Sequence, residues 1–175
     1  MAIRRKPIST DTIIAIAATF TSICALIVTL YQTKLTREQQ LNSVWPYLIA
    51  NEIVDENGLS SITIANSGIG PAIIDSVQVF YKGRLYRSPT AVVQALSEEQ
   101  QRGRDGMSWY QTALEKGFVI SQGQSLNWIT VNGQTDNALF RKALPNIRAI
   151  IFYHSIYDEH WHSTFNGKGD VVVKD

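Results

Sequence analysis

The stretch Leu59–Tyr81 reads LSSITIANSGIGPAIIDSVQVFY. Two short apolar runs flank a glycine- and proline-bearing loop, Asn66-Ser67-Gly68-Ile69-Gly70-Pro71-Ala72. Alternation at a period of two, as in Val77, Val79 and Tyr81 against Gln78 and Phe80, marks half-buried strand rather than helix. The loop looks like a phosphate loop at a glance, but no Gly-Lys-Ser/Thr follows, and it joins two strand patterns instead of a strand and a helix. It is read as a turn: its two glycines can take positive φ, and Pro71 fixes the chain before the next strand.

The same pattern extends in both directions. Candidate strands are Tyr47–Val54, Leu59–Asn66, Ile73–Tyr81, Arg84–Arg87, Phe118–Ser121, Ser125–Val131, Ile147–His154, Trp161–Phe165 and Val171–Lys174. Asn57-Gly58, Lys82-Gly83, Gln122-Gly123, Asn132-Gly133 and Asn166-Gly167 punctuate them, all turns of the kind that join antiparallel strands. Seven to nine short strands so spaced predict a mainly β domain over 46–175, a sandwich or a small barrel. One insertion, about 88–117, breaks the pattern. Ser88-Pro89 reads as an N-cap with proline at the first helical position, and Val92, Val93 and Leu96 give helical spacing as far as Gln101. After the loop 103–106, a second helix is expected from Met107 to Lys116, closed by Gly117.

Toward the other end the character changes. Ile13 to Tyr31 is nineteen residues without a charge, proline or glycine, about 28 Å of helix against a hydrocarbon core of about 30 Å. The run is longer than the apolar part of a typical signal peptide, and no A-x-A-like site follows Leu30. The expected organisation is a basic segment 1–11, an uncleaved transmembrane helix 12–31, and a helical stalk 32–45 ending near Trp45, where Pro46 disfavours helix. Arg4, Arg5 and Lys6 precede the span and Lys34 and Arg37 follow it, a bias that places the N-terminal side in the cytoplasm and exports the rest. Small residues recur at Ala15, Ala18, Ser22, Ala25 and Thr29, one helix stripe on which another helix could pack closely.

Asn66-x-Gly68-x-Gly70-Pro71-Ala72, the Trp45-Pro46-Tyr47 lead-in and Tyr153-x-Ser155-x-Tyr157-x-Glu159-x-Trp161 together resemble a loose group of uncharacterised bacterial single-pass membrane proteins. The resemblance implies one N-terminal span in the bacterial inner membrane and an immunoglobulin-like antiparallel β-sandwich. It brings no catalytic residues.

Composition narrows function by exclusion. The chain has 175 residues, of which 45% are hydrophobic and 18% charged, below the roughly 25% charged of an average soluble protein. Residues 1–37 carry a net +4 and residues 38–175 a net −3, so the β domain lacks the basic excess that nucleic-acid binding needs. All three histidines, His154, His160 and His162, fall close together. His160 and His162 share a strand face beside Asp158 and Glu159, a weak zinc candidate with no cysteine or helical H-E-x-x-H to support it. Ser155 beside His154 lacks the G-x-S-x-G elbow of a serine hydrolase. The expectation is therefore no catalytic set, no metal and no cofactor.

Arg102, Arg104 and Trp109, in the irregular insertion, are the candidate partner surface. The function expected is that of a non-enzymatic anchored accessory protein, presenting its β domain to another membrane or envelope protein. The alternative is a membrane-bound ligand-sensing or effector module with a barrel-like domain that acts through self-association of its spans.

Overall fold

Ser9 opens the first helix, α1 (Thr10–Asn42), by accepting the Thr12 N–H on its Oγ at 3.4 Å. At 33 residues it is about 50 Å long. Its apolar side chains, among them Ile16, Phe20, Ile23 and Leu30, are exposed, and the helix is long and apolar enough to cross a membrane. The hydroxyls of Thr19, Thr21, Ser22, Thr29 and Thr33 each donate to the carbonyl four residues back, at 2.8–2.9 Å. Such internal satisfaction lowers the cost of placing these groups in hydrocarbon.

The computed structural model describes residues 9–54, 59–99, 107–166 and 170–175. Arg4, Arg5, Lys6, the Asn57-Gly58 turn, Arg102, Arg104, the loop 103–106 and Gly167 lie outside the described residues. The chain divides into two compact units, one ending at Asn42 and one spanning Ser43–Asp175. Helix α1 stops three residues short of Trp45. In the second unit the Trp45 carbonyl accepts N–H groups from Ile69 and Gly70, at 3.1 and 3.3 Å, so the lead-in is held as extended chain.

Ten strands are described: β1 (Leu48–Val54), β2 (Ser60–Asn66), β3 (Ala72–Tyr81), β4 (Arg84–Tyr86), β5 (Trp109–Gln111), β6 (Val119–Ile120), β7 (Ser125–Val131), β8 (Ile147–His154), β9 (His160–Phe165) and β10 (Asp170–Lys174). They form two antiparallel sheets. One has the order β1-β2-β7-β5, the other β10-β9-β8-β3-β4 with β6 beside β3. Two helices accompany them, α2 (Pro89–Glu99) and α3 (Gln134–Ala143). Ile62, Ile64 and Val131 of the first sheet and Ile74, Val79, Ile151 and Tyr153 of the second join Val93 of α2 and Phe140 of α3 in one buried apolar cluster.

The Ser88 cap is present, with Oγ accepting the Ala91 N–H at 3.3 Å, and Val92, Val93 and Leu96 face the core as their spacing implies. The expected second helix is absent. Trp109–Gln111 is β5, paired with β7, and the rest of 107–117 follows no helix. Asn132-Gly133 is not a hairpin turn either, for Gly133, at φ 88°, opens α3. That helix turns Asp136 and Asn137 inward beside Phe140 and Ala143. Asn137 Oδ1 accepts the Ser60 N–H at 2.7 Å and Asp136 Oδ2 the Ser108 N–H at 3.0 Å, which is why a polar residue can lie on the buried face.

Gly68 and Gly70 are needed for a reason other than positive φ, which neither adopts. A Cβ on Gly68 would lie 2.7 Å from the Pro46 carbonyl carbon, and one on Gly70 would overlap the Val44 carbonyl. The lead-in passes directly over both.

Edge strand β1 is closed by side chains. The N–H of Leu48 donates to Tyr153 Oη at 3.3 Å and that of Ala50 to Asp170 Oδ2, both acceptors coming from the other sheet. Burial raises the Asp170 carboxyl, with the Ala50 N–H acting against it. Burial also pushes the Tyr153 phenol from 10.0 up to about 12, opposed by the Leu48 N–H. Between those values the unfolded chain releases the phenolic proton and the folded chain keeps it, so stability falls as pH rises through that window. The fall amounts to about 2–3 kcal/mol. Urea unfolding at a series of pH values from 9 to about 12 should show the native chain losing stability more steeply than Tyr153→Phe. Parallel curves would show that the phenol is not held this way.

Candidate functional site

Strand β8 turns Ile147, Ala149, Ile151 and Tyr153 inward, leaving Phe152 and His154 on the outer face. Strand β9 does the same with Trp161, Ser163 and Phe165, leaving His160 and His162 outside. The antiparallel register sets His154 directly opposite His160, and Phe152 opposite His162. Side chains so paired on one face of a sheet are close neighbours. Here the two imidazole rings of His154 and His160 lie 5.4 Å apart at 43°.

The third participant comes from β3. Its pairing with β8 shifts register between Ile74 and Ser76, leaving Asp75 as the extra residue of a bulge. Bulges commonly re-aim a side chain in this way. Asp75 Oδ1 lies 2.9 Å from His154 Nδ1 and Oδ2 lies 3.3 Å from His160 Nδ1. One carboxylate thus serves two imidazoles. Beyond them the turn between β8 and β9 is fixed by Ser155, whose N–H donates to the Glu159 carbonyl at 2.9 Å and whose Oγ accepts the Tyr157 N–H at 3.2 Å. That turn holds Asp158 at φ 62°, with Oδ1 3.3 Å from His160 Nε2.

His162 belongs to a different arrangement. Its Nδ1 lies 2.6 Å from Asp175 Oδ1, while Lys174 donates to Glu159 at 2.6 Å and stands 5.3 Å over the Trp161 ring. The sequence reading paired His160 with His162; the structure groups His160 with His154 and Asp75 instead. Two residues apart on one strand, His160 and His162 point the same way but face different carboxylates, Asp75 on β3 and Asp175 just past β10. Asp75 was missed. Its signal was a break in phase, because Ile74 and Val79 are both buried although they stand five positions apart, an odd offset that should put them on opposite faces.

Ser155 is fully buried and its hydroxyl serves the turn. Trp109, the described member of the expected partner surface, is half-buried on β5 and packs against the core. The small-residue stripe lies along α1, where the hydroxyls of Ser22 and Thr29 are already bonded to the carbonyls of Ala18 and Ala25. The stripe therefore offers close approach without a free hydroxyl donor at Ser22 or Thr29. On the domain, Tyr81 Oη donates to Glu99 at 2.8 Å and Lys82 pairs with the same carboxylate. The Lys82 ammonium holds the Glu99 carboxyl low and is itself raised by it, and burial raises the Tyr81 phenol. This group ties the end of α2 to the β3–β4 turn.

Among the described residues, one apolar helix followed by a two-sheet antiparallel domain defines the class of protein. The chain belongs to the family described as "Domain of unknown function (DUF8453)", which it matches over residues 12–168. No curated protein and no solved structure matches it.

Both histidines of β9 are partly or largely exposed, and exposed ion pairs contribute about 0–1 kcal/mol each. In the presence of a chelator, His160→Ala combined with His162→Ala should therefore lower the melting temperature of the β domain by only a few degrees. A loss of tens of degrees would show that the outer face holds the fold together.

Proposed function

We propose that this protein is a non-enzymatic, membrane-anchored binding or accessory protein. In this reading α1 spans the bacterial inner membrane, Arg4, Arg5 and Lys6 stay in the cytoplasm, and the β domain faces the extracytoplasmic side to meet another envelope protein. The observation that carries it is the exposed apolar surface of α1, which needs lipid to cover it, joined to a β domain with its own core.

We also read that domain as an immunoglobulin-like sandwich. The orders β1-β2-β7-β5 and β9-β8-β3-β4 parallel the A-B-E-D and G-F-C-C′ orders of that arrangement, with β10 added at one edge. Immunoglobulin-like domains serve many functions, so the fold supports a display role without choosing the partner.

Orientation is the direct test. Alkaline phosphatase fused after Asp175, which is active only when exported, should be active, and a cytoplasm-only reporter at the same point should be silent. The reverse pattern overturns the accessory reading and favours an effector module whose domain lies in the cytoplasm.

A further inference from the structure

We propose that Asp75, His154 and His160 form a binding site for a divalent transition-metal ion of the zinc type. One ligand atom from each lies within 4.8 Å of the others. A tetrahedral ion with ligands at about 2.1 Å holds them roughly 3.4 Å apart, so the set closes on an ion by side-chain rotation alone. His160, whose side chain is 49% exposed, has the freedom to make that movement.

Three features go beyond chance proximity. The donors sit on three adjacent strands, β3, β8 and β9, a rigid base for fixed ligand positions. The bulge that breaks β3 pairing places Asp75 between the two imidazoles. In addition, His160 faces Asp75 with Nδ1 and Asp158 with Nε2. A metal-bound histidine typically donates its other ring N–H to a carboxylate, which fixes its orientation, and Asp158 stands where that carboxylate belongs.

Two imidazoles and one carboxylate are a donor set suited to zinc and its neighbours, and three protein ligands leave a coordination position open. Glu159, Asp175 and Lys174 line the adjoining groove, and with Asp75 and Asp158 they make it net negative, which favours a cation. This site stands independently of the accessory role, because nothing in its geometry depends on orientation or partner.

The experiment uses the full chain in detergent micelles, carrying an affinity tag without histidine, stripped with chelator and titrated with Zn²⁺ alone by calorimetry. One equivalent should bind and raise the melting temperature. His160→Ala and Asp75→Asn should each weaken binding tenfold or more. Asp158→Asn should weaken it about tenfold, the lower end of the effect of losing an outer carboxylate. His162→Ala should bind like the native chain. Circular dichroism in chelator checks that each variant is folded, and His160, being exposed, provides a variant that does not depend on core packing. Absence of saturable binding overturns the proposal, as does equal affinity in the His160→Ala and native chains, or loss of binding in His162→Ala.

Discussion

The carboxamide of Asn66 has two donors and an acceptor oxygen with two lone pairs, and all are committed. Its oxygen accepts the N–H groups of Tyr47 and Gly68 at 3.2 and 3.0 Å, and its nitrogen donates to the carbonyls of Gly70 and Ile120 at 2.8 and 3.0 Å. Its own backbone bonds both residues of the turn before β7, taking an N–H from Gly123 and donating to Gln124. One buried side chain at the end of β2 thus joins the lead-in to β1, the glycine loop and β6. The lead-in enters the edge strand of one sheet, the glycine loop runs from that sheet's β2 to β3 of the other, and β6 lies in the other sheet. Gly68 and Gly70 make this possible, since only chain without a Cβ lets the lead-in come so near.

The rest of the closure follows the same logic. A two-sheet domain leaves edges with unpaired backbone groups, and here side chains from the second sheet reach across to the edge of the first. Tyr153 and Asp170 satisfy alternate N–H groups on β1. With its inner face packed in the shared core, the second sheet is free to carry polar chemistry on its outer face. That is where β8, β9 and the β3 bulge assemble His154, His160 and Asp75.

Much of this was legible in the sequence. Nine strands were placed to within one or two residues, because short β-branched runs between glycine turns leave few other readings. The apolar run of α1 and the Ser88 cap were equally plain. What failed shares a physical origin in tertiary satisfaction of polar groups. Helix α3 was missed because Asp136 and Asn137 occupy its buried face and disguise the apolar period. The segment after Met107 was read as helix because its composition permits one, whereas pairing with β7 decides it. The glycines of the Asn66 loop were assigned to positive φ, since close approach between distant segments leaves no local mark. Of the metal-type cluster, the histidines were visible but their partner was not, because a bulge changes which face a residue occupies.

The dependence of the domain on Asn66 can be measured directly. Replacing it by alanine strands two N–H and two carbonyl groups, and a buried unpaired group costs about 1–3 kcal/mol. Urea unfolding of the full chain in detergent, followed through the fluorescence of the buried Trp128 and Trp161, should show Asn66→Ala less stable by about 3 kcal/mol or more. Ser67→Ala, at the exposed neighbouring position, should stay within about 0.5 kcal/mol of the native chain. Two variants with the same small loss would contradict the claim that this one side chain joins the sheets.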